Sequence, residues 1–140
     1  MRHLMTALCM AAAAPAAAQE TSPGPSLGLE LNAAESTEAG CRLTFVVENG
    51  LGAALDTAVF EAVLFDGTGT VERLTLFDMQ ALPEGRMRVR QFDLTGLVCS
   101  DLGRVLINGV HACAGDGIDA ATCESALQTE SRLDGVEVLG

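Results

Sequence analysis

From residue 27 onward the chain is a series of short apolar runs, most of them alternating with polar positions and separated by turn residues. Leu27-Gly28-Leu29-Glu30-Leu31 alternates cleanly, which on a strand puts three leucines on one face. Over residues 41–47, Cys41, Leu43, Phe45 and Val47 share a face, while Arg42 and Thr44 take the other. Glu48-Asn49-Gly50 predicts a turn. Residues 58–65 are almost wholly apolar, interrupted only by Glu61, the pattern of a strand covered on both faces. If Phe60, Ala62 and Leu64 face the core, then Val59, Val63 and Phe65 need other cover. A short helix further along the chain is the expected source, ahead of a dimer or a partner protein.

Asp66-Gly67-Thr68-Gly69 is a hairpin signal, with residues 70–77 as the returning strand and Pro83-Glu84-Gly85 as the next turn. Residues 86–94 carry Arg86, Arg88 and Arg90 at alternating positions, and Phe92 and Leu94 fall on the same parity. A β-bulge near Gln91 is expected to return those two to the core side. Residues 104–110 and 136–139 predict further strands, and Asp119 is placed to cap a short helix over residues 120–127. About seven strands and one short helix predict an all-β domain, an immunoglobulin-like antiparallel β-sandwich. A small closed barrel is the second solution. The chain has no Trp or Tyr, so the core Trp and tyrosine corner of true immunoglobulin domains are missing.

The N-terminus is of a different kind. Met1, Arg2 and His3 form a short positive region, an apolar run follows from residue 4 to 14, and Ala16-Ala17-Ala18 supplies the small-residue pattern read by signal peptidase. Residues 1–18 are therefore expected to be a signal peptide cut before Gln19, since the run is well short of the ~20 residues needed to span a bilayer. Residues 19–26 read as a flexible lead-in, and residues 27–140 as the sandwich domain. Such a chain is expected to be periplasmic or secreted, with no membrane attachment after cleavage.

Cleavage removes Arg2 and no acidic residue, so the formal charge of −11 on the whole chain becomes −12, and there is no lysine. That balance excludes nucleic acid as a partner, because phosphate binding needs a positive footprint. Cleavage also discards Cys9, leaving Cys41, Cys99, Cys113 and Cys123, an even number that predicts two disulfides in an oxidising compartment. Three pairings exist. Cys113 with Cys123 would close a local loop, leaving Cys41 with Cys99 as a long-range staple.

Reactive chemistry finds little support. His111 is the one histidine after cleavage, two residues before Cys113. A zinc site would use such ligands, but no C-x-x-C knuckle is present. Nor is there a G-x-S-x-G motif, and paired cysteines leave no thiol for catalysis. Asp116-Gly117-Ile118-Asp119 lacks the spacing of an EF-hand loop, and loop solvation with helix capping accounts for it. No catalytic residue, cofactor or metal is expected. The stripe Arg86, Arg88 and Arg90 is the candidate partner contact, with a charged edge strand as the plainer explanation.

Three segments, Cys41-Arg42-Leu43-Thr44-Phe45-Val46-Val47-Glu48-Asn49-Gly50, Ala62-Val63-Leu64-Phe65-Asp66 and Arg104-Val105-Leu106-Ile107-Asn108-Gly109-Val110, resemble a family of small exported bacterial proteins titled Tat-pathway signal-sequence proteins. The resemblance implies a periplasmic location and carries over no functional residue. Arg2 is followed by His3, so the twin-arginine motif itself is missing and Sec export serves equally. The expected role is a non-enzymatic binding or assembly module with a protein partner, as a monomer or weak homodimer. The alternative is an inhibitor or protective factor against a cationic hydrolase such as lysozyme.

Overall fold

The computed structural model describes residues 24–140; the expected signal peptide and residues 19–23 of the lead-in lie outside them. Eight strands and one helix follow in the order β1 (Ser26–Ser36), β2 (Gly40–Gly50), β3 (Leu55–Asp66), β4 (Val71–Asp78), β5 (Met87–Thr95), β6 (Leu102–Gly115), α1 (Ala120–Ala126), β7 (Leu127–Ser131) and β8 (Glu137–Leu139). A single 3-10 turn, Cys99–Asp101, leads into β6. The strands form two four-stranded sheets, the first ordered β5-β2-β1-β7 and the second β4-β3-β6-β8. The fold is an all-β sandwich. Its central strands follow the immunoglobulin-like arrangement, β5 beside β2 and β6 beside β3.

Alternation explains the core. Leu27, Leu29 and Leu31 of β1 and Cys41, Leu43, Phe45 and Val47 of β2 turn inward from the first sheet. Ala58, Phe60, Ala62 and Leu64 of β3, with Val105 and Ile107 of β6, meet them from the second. At one side of the sandwich Phe45, Phe77 and Phe92 cluster with ring centroids 4.6–6.0 Å apart. Each fully buried Leu or Phe contributes roughly 1.5–3 kcal/mol, and these inward faces are the main source of stability.

Two disulfides staple this core: Cys41–Cys99, across 58 positions, and Cys113–Cys123, across 10. The first joins β2 to the turn before β6. The second joins β6 to α1, drawing the helix against the sandwich with Cys123 and Ala126 buried. Asp119 caps the helix, its carboxylate accepting from Thr122 N at 2.9 Å and Thr122 Oγ1 at 2.8 Å. The β3–β4 hairpin is closed in the same way, Asp66 accepting from Thr68 N, Thr68 Oγ1 and Thr70 N while Gly69 takes a positive φ of 87°.

Five expectations need correction. The sheets are mixed rather than antiparallel, because β7 runs parallel to β1 and β8 parallel to β6. Strand β7 adds to the expected count of about seven. Strand β2 does not turn at Glu48-Asn49-Gly50 but runs through it, with Asn49 fully buried. The β2–β5 register is unbroken from Gly40↔Thr95 to Glu48↔Met87, so there is no bulge near Gln91. Finally, α1 packs against β6 and β1 and is not the cover of the outer face of β3, where Val63 is 8% exposed between its strand neighbours and Val59 and Phe65 are half-buried.

Candidate functional site

Without the bulge, Arg88 and Arg90 share the inward side of β5 with Phe92 and Leu94. They sit at the edge of the sandwich, where the gap between the sheets is open. Arg90 reaches across that gap, its Nε donating to Met79 O at 2.7 Å and its Nη2 to Ala81 O at 3.1 Å. Arg73, on the facing edge strand β4, reaches back to Thr95 O at 2.9 Å. These two guanidiniums therefore lace the sheets together through backbone carbonyls, a use of the fork-like donor set that no lysine could match. Arg88 is half-buried and donates to Met87 O, and Arg86 stands exposed in the turn before β5. The stripe is not a row of three free cations.

Among the described residues, the remaining arginines are also engaged. Arg42 pairs with Asp93 across β2 and β5 at 2.7 Å, Arg132 with Glu30 at 2.8 Å, and Arg104 with Glu137 at 3.2 Å. The Arg42 hydrogen bond holds the Asp93 carboxyl below its ordinary range. Glu30 is lowered by Asn32 first and Arg132 second, Asp66 by the Thr68 hydroxyl and Thr70 backbone, and Asp119 by the Thr122 backbone and hydroxyl. All four serve local structure.

His111 is exposed at a register shift in β6, and its neighbour Cys113 is bound to Cys123. Among the described residues no three His, Cys, Asp or Glu side chains gather as a metal site. No helix there is long and apolar enough to cross a membrane.

Two surface features remain. On the outer face of the first sheet, Gly28 leaves a depression of about 460 Å³ lined by Glu30, Val46, Glu48, Met87 and Gln128 among others. The outer face of the second sheet is of a different character. Leu74, Val63, Leu106 and Leu139 stand opposite one another on β4, β3, β6 and β8, an aliphatic row across the entire sheet. Leu74 is 63% exposed and Leu139 43%, and beside the row Val71 and Leu76 are 51% and 48% exposed.

The row has two unlike flanks. On one side lie Val71, Phe65, Arg104 and Glu137, with the Arg104 guanidinium 5.7 Å from the Phe65 ring centroid. On the other lie Leu76, Glu61 and Gly109, where Glu61 accepts from Asn108 Nδ2 at 2.7 Å. The sequence pattern signalled the need to cover Val63 and Phe65; that β4 adds Leu74 and Leu76 to the same patch follows only from the strand register.

Two disulfides are the mark of a chain that folds outside the reducing cytoplasm. Comparisons with family models, curated proteins and solved structures return no match to this chain.

Proposed function

We propose that the protein is a non-enzymatic binding module of the periplasm, engaging a protein partner through the outer face of its second sheet. The observation that carries this reading is the aliphatic row Leu74–Val63–Leu106–Leu139 with its exposed neighbours Val71 and Leu76. Contiguous apolar surface of this kind on a small domain is commonly an interaction site, whereas isolated exposed leucines are not informative. The engagement of most arginines in local contacts moves the preferred contact surface from β5 to this face.

A photo-crosslinking residue at position 74, in the exported protein, tests the reading. A specific protein adduct at 74 and none at Gln128, on the opposite sheet, is the expected result. No adduct at 74 would overturn it. Inhibition of a cationic hydrolase is a second reading, favoured by Glu30, Glu48 and Glu130 around the Gly28 depression. A lysozyme assay checks it, and undiminished lysis at micromolar protein would end it.

A further inference from the structure

We infer that the occupant of this face is a second copy of the same chain, stacked sheet to sheet about a two-fold axis lying along the aliphatic row. This inference rests on the binding face proposed above and adds the identity of what binds there.

A two-fold interface brings the same patch of both copies together, so the patch must match itself. Rotation about an axis along the row lays Leu74, Val63, Leu106 and Leu139 on their own counterparts and reverses the strand direction. The two flanks then exchange, and what lies one step above the row meets what lies one step below it. Same-face neighbours on a strand are ~6.6 Å apart, so the flanks fall at matching heights on either side.

The flanks of this sheet suit that exchange. Phe65 and Glu61 lie on the same strand, one step either side of Val63. The exchange therefore sets the partner's Glu61 opposite Phe65, and the guanidinium over the Phe65 ring is that of Arg104. A second carboxylate thus arrives beside the Arg104 guanidinium, which already pairs with Glu137 at 3.2 Å and keeps further N–H donors to share, twice per dimer. On β6, Arg104 faces the partner's Gly109, with the bulged Asn108 beside it held on Glu61. On β4, Val71 meets the partner's Leu76, apolar against apolar. A turn of about 30° between stacked sheets shifts the outermost contacts more than those near the axis.

The face is only four strands wide and a standard interface buries roughly 800 Å² per partner, so the dimer is expected to be a weak one. The formal charge of −11 on each chain also opposes association. Salt screens that repulsion over the Debye length, and the dimer gains as ionic strength rises from low values.

Sedimentation velocity on the exported, disulfide-bonded protein tests the inference at concentrations up to about 200 µM, a range suited to a small interface. The wild type is expected to shift toward dimer with concentration, and Leu74→Glu, at an exposed position, to stay monomeric with an unchanged circular dichroism spectrum. Glu61→Arg alone and Arg104→Glu alone each lose the dimer. Mixed in equal amounts they recover it, because every cross-pair is again of opposite charge.

A wild type monomeric throughout, a Leu74→Glu dimer, or a mixture that fails to associate would each overturn the inference. The crosslink at position 74 separates the two levels. An adduct of homodimer mass supports both. An adduct with another protein, without a homodimer, leaves the binding face standing and removes this partner. No adduct and no dimer remove both.

Discussion

Glycine is costly in a strand unless the backbone needs it, and Gly28 and Gly40 answer that test in opposite ways. A Cβ on Gly40 would lie 2.1 Å from Leu94 O, inside the β2–β5 ladder, so the strand pair admits nothing larger. A Cβ on Gly28 would find its nearest atoms at 3.8 Å, an ordinary contact. Gly40→Ala is expected to destabilise by about 1–3 kcal/mol through forced displacement of backbone. Gly28→Ala is expected to stabilise by about 0.5–1 kcal/mol. Urea titration of both reads the signs directly, and equal effects would refute the distinction. Asn49 teaches a related lesson. Between Glu and Gly it carries a turn signal, yet its amide donates to Ala53 O and Leu82 O and its oxygen accepts from Leu51 N. It pins the loop after β2 to the connection between β4 and β5. A residue that bonds backbone from far along the chain has no local signature, so its burial is written only in the tertiary fold.

At the scale of elements, strands with a buried face were legible because inward and outward residues alternate. Strand β7 was not. Leu-Gln-Thr-Glu-Ser has one apolar residue, and its place beside β1 comes from a parallel pairing made after the chain has crossed the molecule. The inward arginines of β5 were hidden for a different reason. Binary patterning treats charge as outward, but at an open edge a guanidinium can satisfy itself on carbonyls of the connection that leaves the facing sheet. The disulfides act between elements and rank by the loops they close. By the chain-entropy relation, replacing Cys41 and Cys99 together with Ala is expected to cost about 4 kcal/mol, and replacing Cys113 and Cys123 about 3. Denaturation of the two variants checks the order, and a larger loss for the shorter loop would show that docking of α1 outweighs loop closure.

The whole molecule is acidic, and four of its carboxylates tie its stability to pH. Glu30, Asp66, Asp93 and Asp119 have folded-state values below their ordinary ones. A depressed acid contributes stability that is full above its unfolded-state value and is lost as pH falls through the folded one. The acid limb of unfolding is therefore expected to lie below about pH 4, the ordinary carboxylate range. Asp93→Asn should shrink that limb, since it removes the Arg42 partner, and an unchanged limb would show the pair to be inert at this exposed site.

The arginines bear on one more property, the susceptibility of the native protein to trypsin. With no lysine, every cleavage site is an arginine. Arg42, Arg73, Arg88, Arg90 and Arg104 lie within strands, held by sheet pairing and, for four of them, by contacts to other segments. Arg132 follows β7 with its N–H bound to Leu31 O. Arg86 is exposed in an open turn between two edge strands, so limited digestion should begin after it. That nick separates the chain into a half holding Cys41 and a half holding Cys99. The staple across 58 positions keeps them covalently joined, and the cut protein stays one particle until it meets a reductant.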